Sequence, residues 1–316
     1  MDILSDILSK MRLTGTLYFR TSFTSPWGVK VPAFENVARF HFAHSGRCFV
    51  RVDGASDGPV LLDQGDLIII TRGASHTLYC DPTTEDDALS LDEVVKESGF
   101  TGHGALIYGE PGTNYETQLV CGHFAFDKNA QHPLIDALPA FIHVRNYGET
   151  AGSWMESTLR VIGAEAGRHG MGSDLIALKM SEIIFAQALR EYLMSEGAEK
   201  PVLAGFSDAS IASALNAIHA RPDMPWTIER LAKSAGMSRT SFAVKFAQLM
   251  NMTPLNYITQ WRMQIARQLL AETDKPIINI AEEIGYQSEA AFGRVFKKWL
   301  DVPPATYRRN FLKSAQ

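Results

Sequence analysis

The chain is short of cysteine, of long apolar runs and of basic residues at its start, and each shortage removes a class of protein. Cys48, Cys80 and Cys121 are the only cysteines in 316 residues. They are too few and too scattered for a disulfide framework, and their odd number leaves at least one unpaired. A reducing compartment fits that usage. The most apolar stretches, such as Leu67–Ile70, fall far below the roughly 20 residues that cross a bilayer, so no membrane association is expected. The opening MDILSDILSKMRL carries Asp2 and Asp6 where a secretory signal carries basic residues, and a cytoplasmic protein is expected.

What is present is an ordinary globular balance, 46% apolar and 21% charged, in a chain long enough for two domains. The net charge of −5 hides an asymmetry. Residues 207–316 hold 14 Lys+Arg against 9 Asp+Glu, while residues 1–206 hold 16 against 26. A basic C-terminal segment on an acidic body is the electrostatic arrangement of a phosphate-binding module tethered to something else.

From about residue 15 to 126 the pattern is strand-like. LYFRTSF, VARFHFA, RCFVRVD, DLIIIT and TQLVCGHFAF are short runs rich in β-branched and aromatic residues. Turn signals at Gly46, Asp53-Gly54, Asp57-Gly58, Gln64-Gly65-Asp66 and Arg72-Gly73 separate them, favouring an antiparallel sandwich or barrel over βαβ units. Residues 84–103 read as a loop or short helix. After Pro133 the pattern turns helical, with segments expected near 150–168, 173–195 and 208–220. In the second, Ile176, Met180, Ile183, Ile184, Ala188 and Tyr192 share one face, serving either the core or a dimer contact. A linker is expected at Ser195–Ser207, where Gly197, Pro201 and Gly205 interrupt the pattern. The division expected is 1–206, with a helical segment at 133–195, and 207–316.

The sharpest feature is an internal near-repeat. LAKSAGMSRTSFAVKFAQLMNMTPLNY from Leu231 parallels IAEEIGYQSEAAFGRVFKKWLDVPPATY from Ile280. Ala232 and Gly236 match Ala281 and Gly285 at an offset of 49; Phe242, Phe246, Pro254 and Tyr257 match Phe292, Phe296, Pro304 and Tyr307 at 50. In a helix-turn-helix, a small residue lets the second helix cross the first closely. A glycine four residues on ends the first helix in the left-handed conformation. Ser238 and Ser288 then suit the N-cap of the second helix. Phe242, Phe246 and Leu249, like Phe292, Phe296 and Trp299, make an inward stripe within about 60° of arc.

The opposite faces point outward. The first presents Arg239, Thr240, Ser241, Ala243 and Val244, with Ala247 and Gln248; the second presents Ser288, Glu289, Ala290, Arg294, Lys297 and Lys298. Arginine there can read guanine bidentately, and lysines neutralise phosphates. Pro254–Glu272 reads as one helix roughly 27 Å long, comparable to a turn of duplex DNA at ~34 Å. Lys245, Arg262 and Arg267 read instead as solvated or ion-paired surface groups.

WTIERLAKSAGMSRTSFAVKF, TPLNYITQWRMQIARQLL, INIAEEIGYQSEAAFGRVFKK and PPATYRR together resemble the DNA-binding domain of the AraC/XylS family over about Asp208–Arg309. The departure is at Ala243 and Val244, where the family often has polar or basic residues, so Arg294 is expected to carry more of the base discrimination. RFHFAHSGRCFVRV, LDQGDLIIITRGASHTL, LVCGHFAFD and HPLIDALPAFIHV resemble the cupin-type sensor domain of a subset of that family. The resemblance implies an α+β chain: an N-terminal antiparallel, cupin-like β-barrel with a helical linker or dimerisation segment, then an all-α domain of two helix-turn-helix units. It implies a small-molecule effector, a homodimer, double-stranded DNA as partner and contact with RNA polymerase.

Cupins often hold a metal on inward histidines. A zinc or iron site on His41, His76 and Cys121 is one reading; satisfied structural polar residues are the other. Cys121 and His123 alternate onto one strand face. Cys121 is also a candidate oxidant-sensing thiol, against the bland reading of a small buried strand residue. The competing functional class is a metal-dependent cupin enzyme with a helical partner module, which rests on the histidines alone.

Overall fold

The computed structural model describes residues 2–11, 13–102, 104–109, 115–126, 132–146, 171–195 and 201–314. The chain forms two compact units, one of Arg12–Asn129 and Leu138–Tyr192, the other of Met1–Met11, Ala130–Ala137 and Leu193–Gln316. The second therefore takes in two N-terminal pieces as well as the residues beyond the boundary expected at 206/207.

Eleven strands are described: β1 (Leu13–Thr24), β2 (Gly28–Val31), β3 (Val37–Ser45), β4 (Cys48–Val52), β5 (Val60–Leu62), β6 (Leu67–Ile70), β7 (His76–Tyr79), β8 (Leu89–Ser90), β9 (Ala105–Tyr108), β10 (Glu116–Phe126) and β11 (Phe141–Val144). The helices are α1 (Ile3–Met11), α2 (Leu91–Ser98), α3 (Pro133–Asp136), α4 (Ser173–Ser195), α5 (Pro201–Ser207), α6 (Ala209–Ala220), α7 (Ile228–Ser234), α8 (Arg239–Met250), α9 (Pro254–Glu272), α10 (Ile277–Glu283), α11 (Glu289–Leu300) and α12 (Pro304–Ser314).

The strands form two sheets, ordered β11-β6-β3-β10-β1-β9 and β5-β4-β7-β2-β8. Interior pairings are antiparallel, but β9 joins β1 and β8 joins β2 in parallel at the edges. This corrects the expected all-antiparallel barrel: the sheets are mixed, and no ladder joins one to the other among the described residues. They enclose an apolar core, with Phe23, Ala43, Ile68, Ile70 and Leu119 from one and Val29, Val50, Val52, Leu62 and Leu78 from the other. The other face of the first sheet is also buried. Phe40 stacks on Phe124, and Phe124 meets Phe185 of α4 edge-on. That accounts for the apolar Ala38, Phe40 and Phe124, all buried, on the face turned away from the inter-sheet core. The five expected turn glycines all adopt positive φ. At Gly73 a Cβ would also lie 2.1 Å from the Phe34 carbonyl oxygen, so the turn needs glycine for space as well as torsion.

Three further expectations change. The segment after Pro133 is not helical throughout, because Phe141–Val144 forms β11 on β6. Buried Asp66 holds that edge by accepting from the Asn146 backbone N–H at 2.8 Å and pairing with His143 at 3.0 Å. The linker region contains a seven-residue helix, α5, whose Gly205 would put a Cβ 2.5 Å from the Met250 sulfur; Gly205 serves helix approach rather than a break. On α4, Ile184, Ala188 and Tyr192 are buried as the stripe requires, whereas Ile176 and Ile183 are 41% and 42% exposed. The helix expected near 150–168 lies outside the described residues.

Candidate nucleic-acid interface and sensor cavity

The two halves of the repeat fold alike. α7 ends through Gly236 at φ +67 and α10 through Gly285 at φ +85. In each, the next residue's N–H reaches back to the small residue, Met237 to Ala232 at 2.9 Å and Tyr286 to Ala281 at 2.8 Å. This is the left-handed termination that satisfies helix-end carbonyls. Ser238 Oγ accepts from the Ser241 N–H and Ser288 Oγ from the Ala291 N–H, both at 3.2 Å, fixing the first turns of α8 and α11. Phe242, Phe246, Phe292 and Phe296 are fully buried. The stripe continues by i+4 steps, to fully buried Met250 and half-buried Leu300; of the expected i+3 positions Leu249 is half-buried too, but Trp299 is 43% exposed, so the inward placement of Trp299 is corrected. The repeat also extends further than the sequence comparison reached. Asn251 and Asp301, 50 residues apart, close α8 and α11 at φ +53 and +57.

The outward faces differ in charge. On α8, Arg239 pairs with Glu229 at 2.7 Å, Thr240 and Ser241 are exposed, Ala243 is half-buried and Val244 is 51% exposed. On α11, Ser288, Glu289, Ala290, Arg294, Lys297 and Lys298 are all exposed, and no described carboxylate pairs with Arg294, Lys297 or Lys298. Free cations on one helix face are what phosphate and base contacts require. Of the three cations set aside as surface groups, Lys245 is ion-paired, to Asp208 at 2.6 Å. The other two are structural. Arg262 donates to the Pro222 and Met224 carbonyls, both at 2.8 Å. Arg267 is 7% exposed beside Gln264 and Tyr307.

A buried polar chain lies under α9. The Leu134 N–H donates to His132 Nδ1 at 3.1 Å, and burial holds His132 well below its ordinary pKa, so its proton sits on Nε2. His132 Nε2–H donates to Tyr257 Oη at 3.2 Å. Tyr257 in turn donates to His219 Nε2 at 2.8 Å, leaving His219 Nδ1–H for Asp6 at 2.8 Å. His219 also stacks on Trp261 at 3.9 Å. Residues from α1, the N-terminus of α3, α6 and α9 are thereby joined. Sequence reading did not single them out, because their spacing is non-local.

Between the sheets lies a cavity of about 270 Å³. Strand alternation turns Arg39, His41, Leu119, Cys121 and His123 toward it, facing Val29, Val31 and Leu78. At its edge His41, His76 and Cys121 come together. His76 Nδ1 donates to the Ala74 carbonyl at 3.0 Å, and burial lowers its pKa to about 4. Its Nε2 therefore accepts from His41 Nε2–H at 2.8 Å, and His41 Nδ1 accepts from the Cys121 thiol at 3.1 Å. All three are neutral in this chain. The set does not fit a single zinc or iron ion: Cys121 and His76 occupy opposite edges of one imidazole, and no three described His, Cys, Asp or Glu side chains converge on one point. Nor does the site activate sulfur. Burial pushes the thiols of Cys121 and Cys48 upward, the latter to about 12, away from the thiolate that oxidant sensing uses.

Two family profiles match the sequence, one described as Cupin over residues 2–194 and one as Helix-turn-helix domain over residues 231–310. A putative AraC-like transcription regulator of Streptomyces lividans is 32% identical over 98% of this chain and 99% of its own. The chain is a member of the AraC-like family of transcription regulators. A second putative AraC-like regulator, from Streptomyces antibioticus, is 30% identical over 98% of this chain and 99% of its own. The regulator AlkR of Acinetobacter baylyi is 29% identical over 98% and 100%. This AraC-like chain thus has an N-terminal cupin domain and a C-terminal helix-turn-helix domain. The enzyme alternative finds no support among regulators of this kind. No helix among the described residues is long and apolar enough to cross a membrane.

Proposed function

We infer that this AraC-like regulator reads duplex DNA with α8 and α11 and is controlled by a small effector held between its two sheets. The observation that carries the reading is the twice-built helix-turn-helix with the unpaired cations Arg294, Lys297 and Lys298 exposed on α11. α9, 19 residues long, spans about 28 Å between the two turns, which suits two successive major-groove segments on one side of the duplex. α11 supplies base discrimination through Arg294 and backbone neutralisation through Lys297 and Lys298, with Ser288, Glu289 and Ala290 at the helix entrance. α8 supplies Thr240, Ser241 and apolar contact from Ala243 and Val244 to thymine methyls. Arg239 exchanges its exposed pairing with Glu229, worth at most about 1 kcal/mol, for a phosphate. The regulator works in the cytoplasm as a homodimer, with RNA polymerase as the downstream partner. A second copy would cover the exposed apolar residues Leu175, Ile176 and Ile183 of α4; Ile183→Glu, followed by sedimentation equilibrium, is expected to give monomer.

The test is binding to the chain's own promoter DNA at several salt concentrations. Arg294→Ala is expected to cost about 1–3 kcal/mol on the operator and to relax sequence preference. Lys297→Ala is expected to weaken all DNA alike and flatten the salt slope by about 1. Operator binding that is unaltered in both variants overturns the assignment of α11.

A further inference from the structure

The cavity carries a charge that no described carboxylate answers. Arg39 lines it, yet among the described residues its guanidinium has no carboxylate partner, and its Nε is buried without a hydrogen-bond acceptor. The Phe34 ring packs against it, 4.2 Å from the guanidinium carbon. The polar groups around it are no substitute. His41 spends both ring nitrogens on Cys121 and His76, and the Cys121 proton is committed to His41. Burial and the Arg39 charge hold His123 below its ordinary pKa. Arg39 is half-buried, an unpaired cation withdrawn from water is costly in proportion, and a free guanidinium fork matches the two oxygens of a carboxylate.

The strand register orders the cavity from one end to the other. Arg39 lies opposite His123, His41 opposite Cys121, and Ala43 opposite Leu119, while Thr21 in turn faces Leu119 across β1 and β10. The cation therefore stands at one end, and Leu119, Leu106, Phe23 and Val29 line the apolar remainder. At about 30 Å³ for a water-sized group, the 270 Å³ cavity accommodates at least about nine non-hydrogen atoms.

We propose that the effector is an amphipathic monocarboxylate, its head paired with Arg39 and its apolar body lying toward Leu119 and Leu106. This rests on the reading of the cavity as the effector site. Burial of the apolar body supplies affinity, and the lone guanidinium selects the head group.

The test is calorimetric titration of the full chain with octanoate, 1-octanol and octylammonium. Octanoate is expected to bind at least tenfold more tightly than octanol, and octylammonium not measurably. Arg39→Gln should reduce octanoate to the level of octanol while leaving octanol unchanged. Arg39→Lys, which keeps the charge and loses the fork, should fall between. Leu119→Trp, filling the cavity, should abolish both. Equal binding of octanol and octanoate by the wild-type chain, or an octanoate preference that survives Arg39→Gln, overturns the carboxylate assignment and leaves the effector cavity standing. Failure of all three ligands to bind removes both. Binding that survives Leu119→Trp places the ligand elsewhere and overturns the proposal.

Discussion

Gly236 and Gly285 occupy equivalent places in the repeat, and replacing each by alanine separates the torsional need for glycine from the spatial one. Both residues have positive φ, so alanine at either pays roughly 1–2 kcal/mol for the left-handed conformation. At Gly236 a Cβ meets nothing within 4 Å, and the cost ends there. At Gly285 it would lie 2.4 Å from the Asp223 carbonyl oxygen and 2.6 Å from an Arg262 guanidinium nitrogen. Relief requires the 222–224 segment or Arg262 to move, and Arg262 holds that segment by its bonds to Pro222 and Met224. Weakening one such charged hydrogen bond costs about 1.5–3 kcal/mol. Gly285→Ala is therefore expected to destabilise by about 3–5 kcal/mol, and Gly236→Ala by about 1–2. Hydrogen exchange in α10 and α11 of the full chain reads the difference directly, because local opening free energies set exchange rates. A gap of about 2–3 kcal/mol is a roughly 30- to 140-fold difference in exchange. Because Arg262 is part of the cost, Arg262→Gln should be less damaging in Gly285→Ala protein than in the parent. Equal losses at the two glycines would refute the crowding argument.

Acidification tests the neutral histidine chain of the β-rich unit. His76 is depressed from 6.5 to about 4 in the folded state, so the unfolded chain takes up its proton first. The stability His76 contributes is complete above about pH 6.5 and declines as pH falls toward 4, by about 3 kcal/mol in total. Urea denaturation at several pH values should show this decline, and His76→Gln should make it shallower; identical pH profiles would count against the assignment. Tyr257→Phe leaves His132 Nε2–H without its acceptor and His219 Nε2 without its donor. The expected loss is about 2–6 kcal/mol, taking about 1–3 for each orphaned buried group, read as faster exchange in α1 and residues 132–137. A change below about 0.5 kcal/mol would show that the chain is dispensable.

The helical unit was legible because its determinants are local and occur twice. A small residue, a glycine, a hydroxyl cap and two phenylalanines at fixed spacing dictate each helix-turn-helix, and all five residues sit where that spacing puts them. The misreadings have equally local causes. An i+3 step from Phe296 points Trp299 inward, whereas the stripe advances by i+4 to Leu300. Phe141–Val144 was absorbed into a helical region because four residues carry too little periodicity to announce a strand. Arg39 does carry a signal in the sequence: alternation through VARFHFA places it on the same face as His41. The edge strands β8 and β9 gave no comparable signal. Their parallel pairing with β2 and β1 depends on partners 60 or more residues away, and that pairing is what turns the expected barrel into two mixed sheets.

The cupin profile spans residues 2–194, yet Met1–Met11 and Ala130–Ala137 belong to the compact unit that carries the helix-turn-helix pair. The sensor polypeptide thus supplies two parts of the DNA-binding unit, and the buried chain says how firmly. Asp6 closes one end on His219 and His132 closes the other on Tyr257, with both oriented along the same α9 that spaces the two turns. Tyr257 is a repeat residue whose counterpart, Tyr307, instead meets Arg267; the duplicated position was turned to a different use in the first half. β10, which carries Cys121 and His123 along the cavity, ends at Phe126, six residues before His132. Five residues of sequence, 127–131, therefore separate a strand that lines the cavity from a side chain whose loss takes one of the two hydrogen-bond partners of Tyr257.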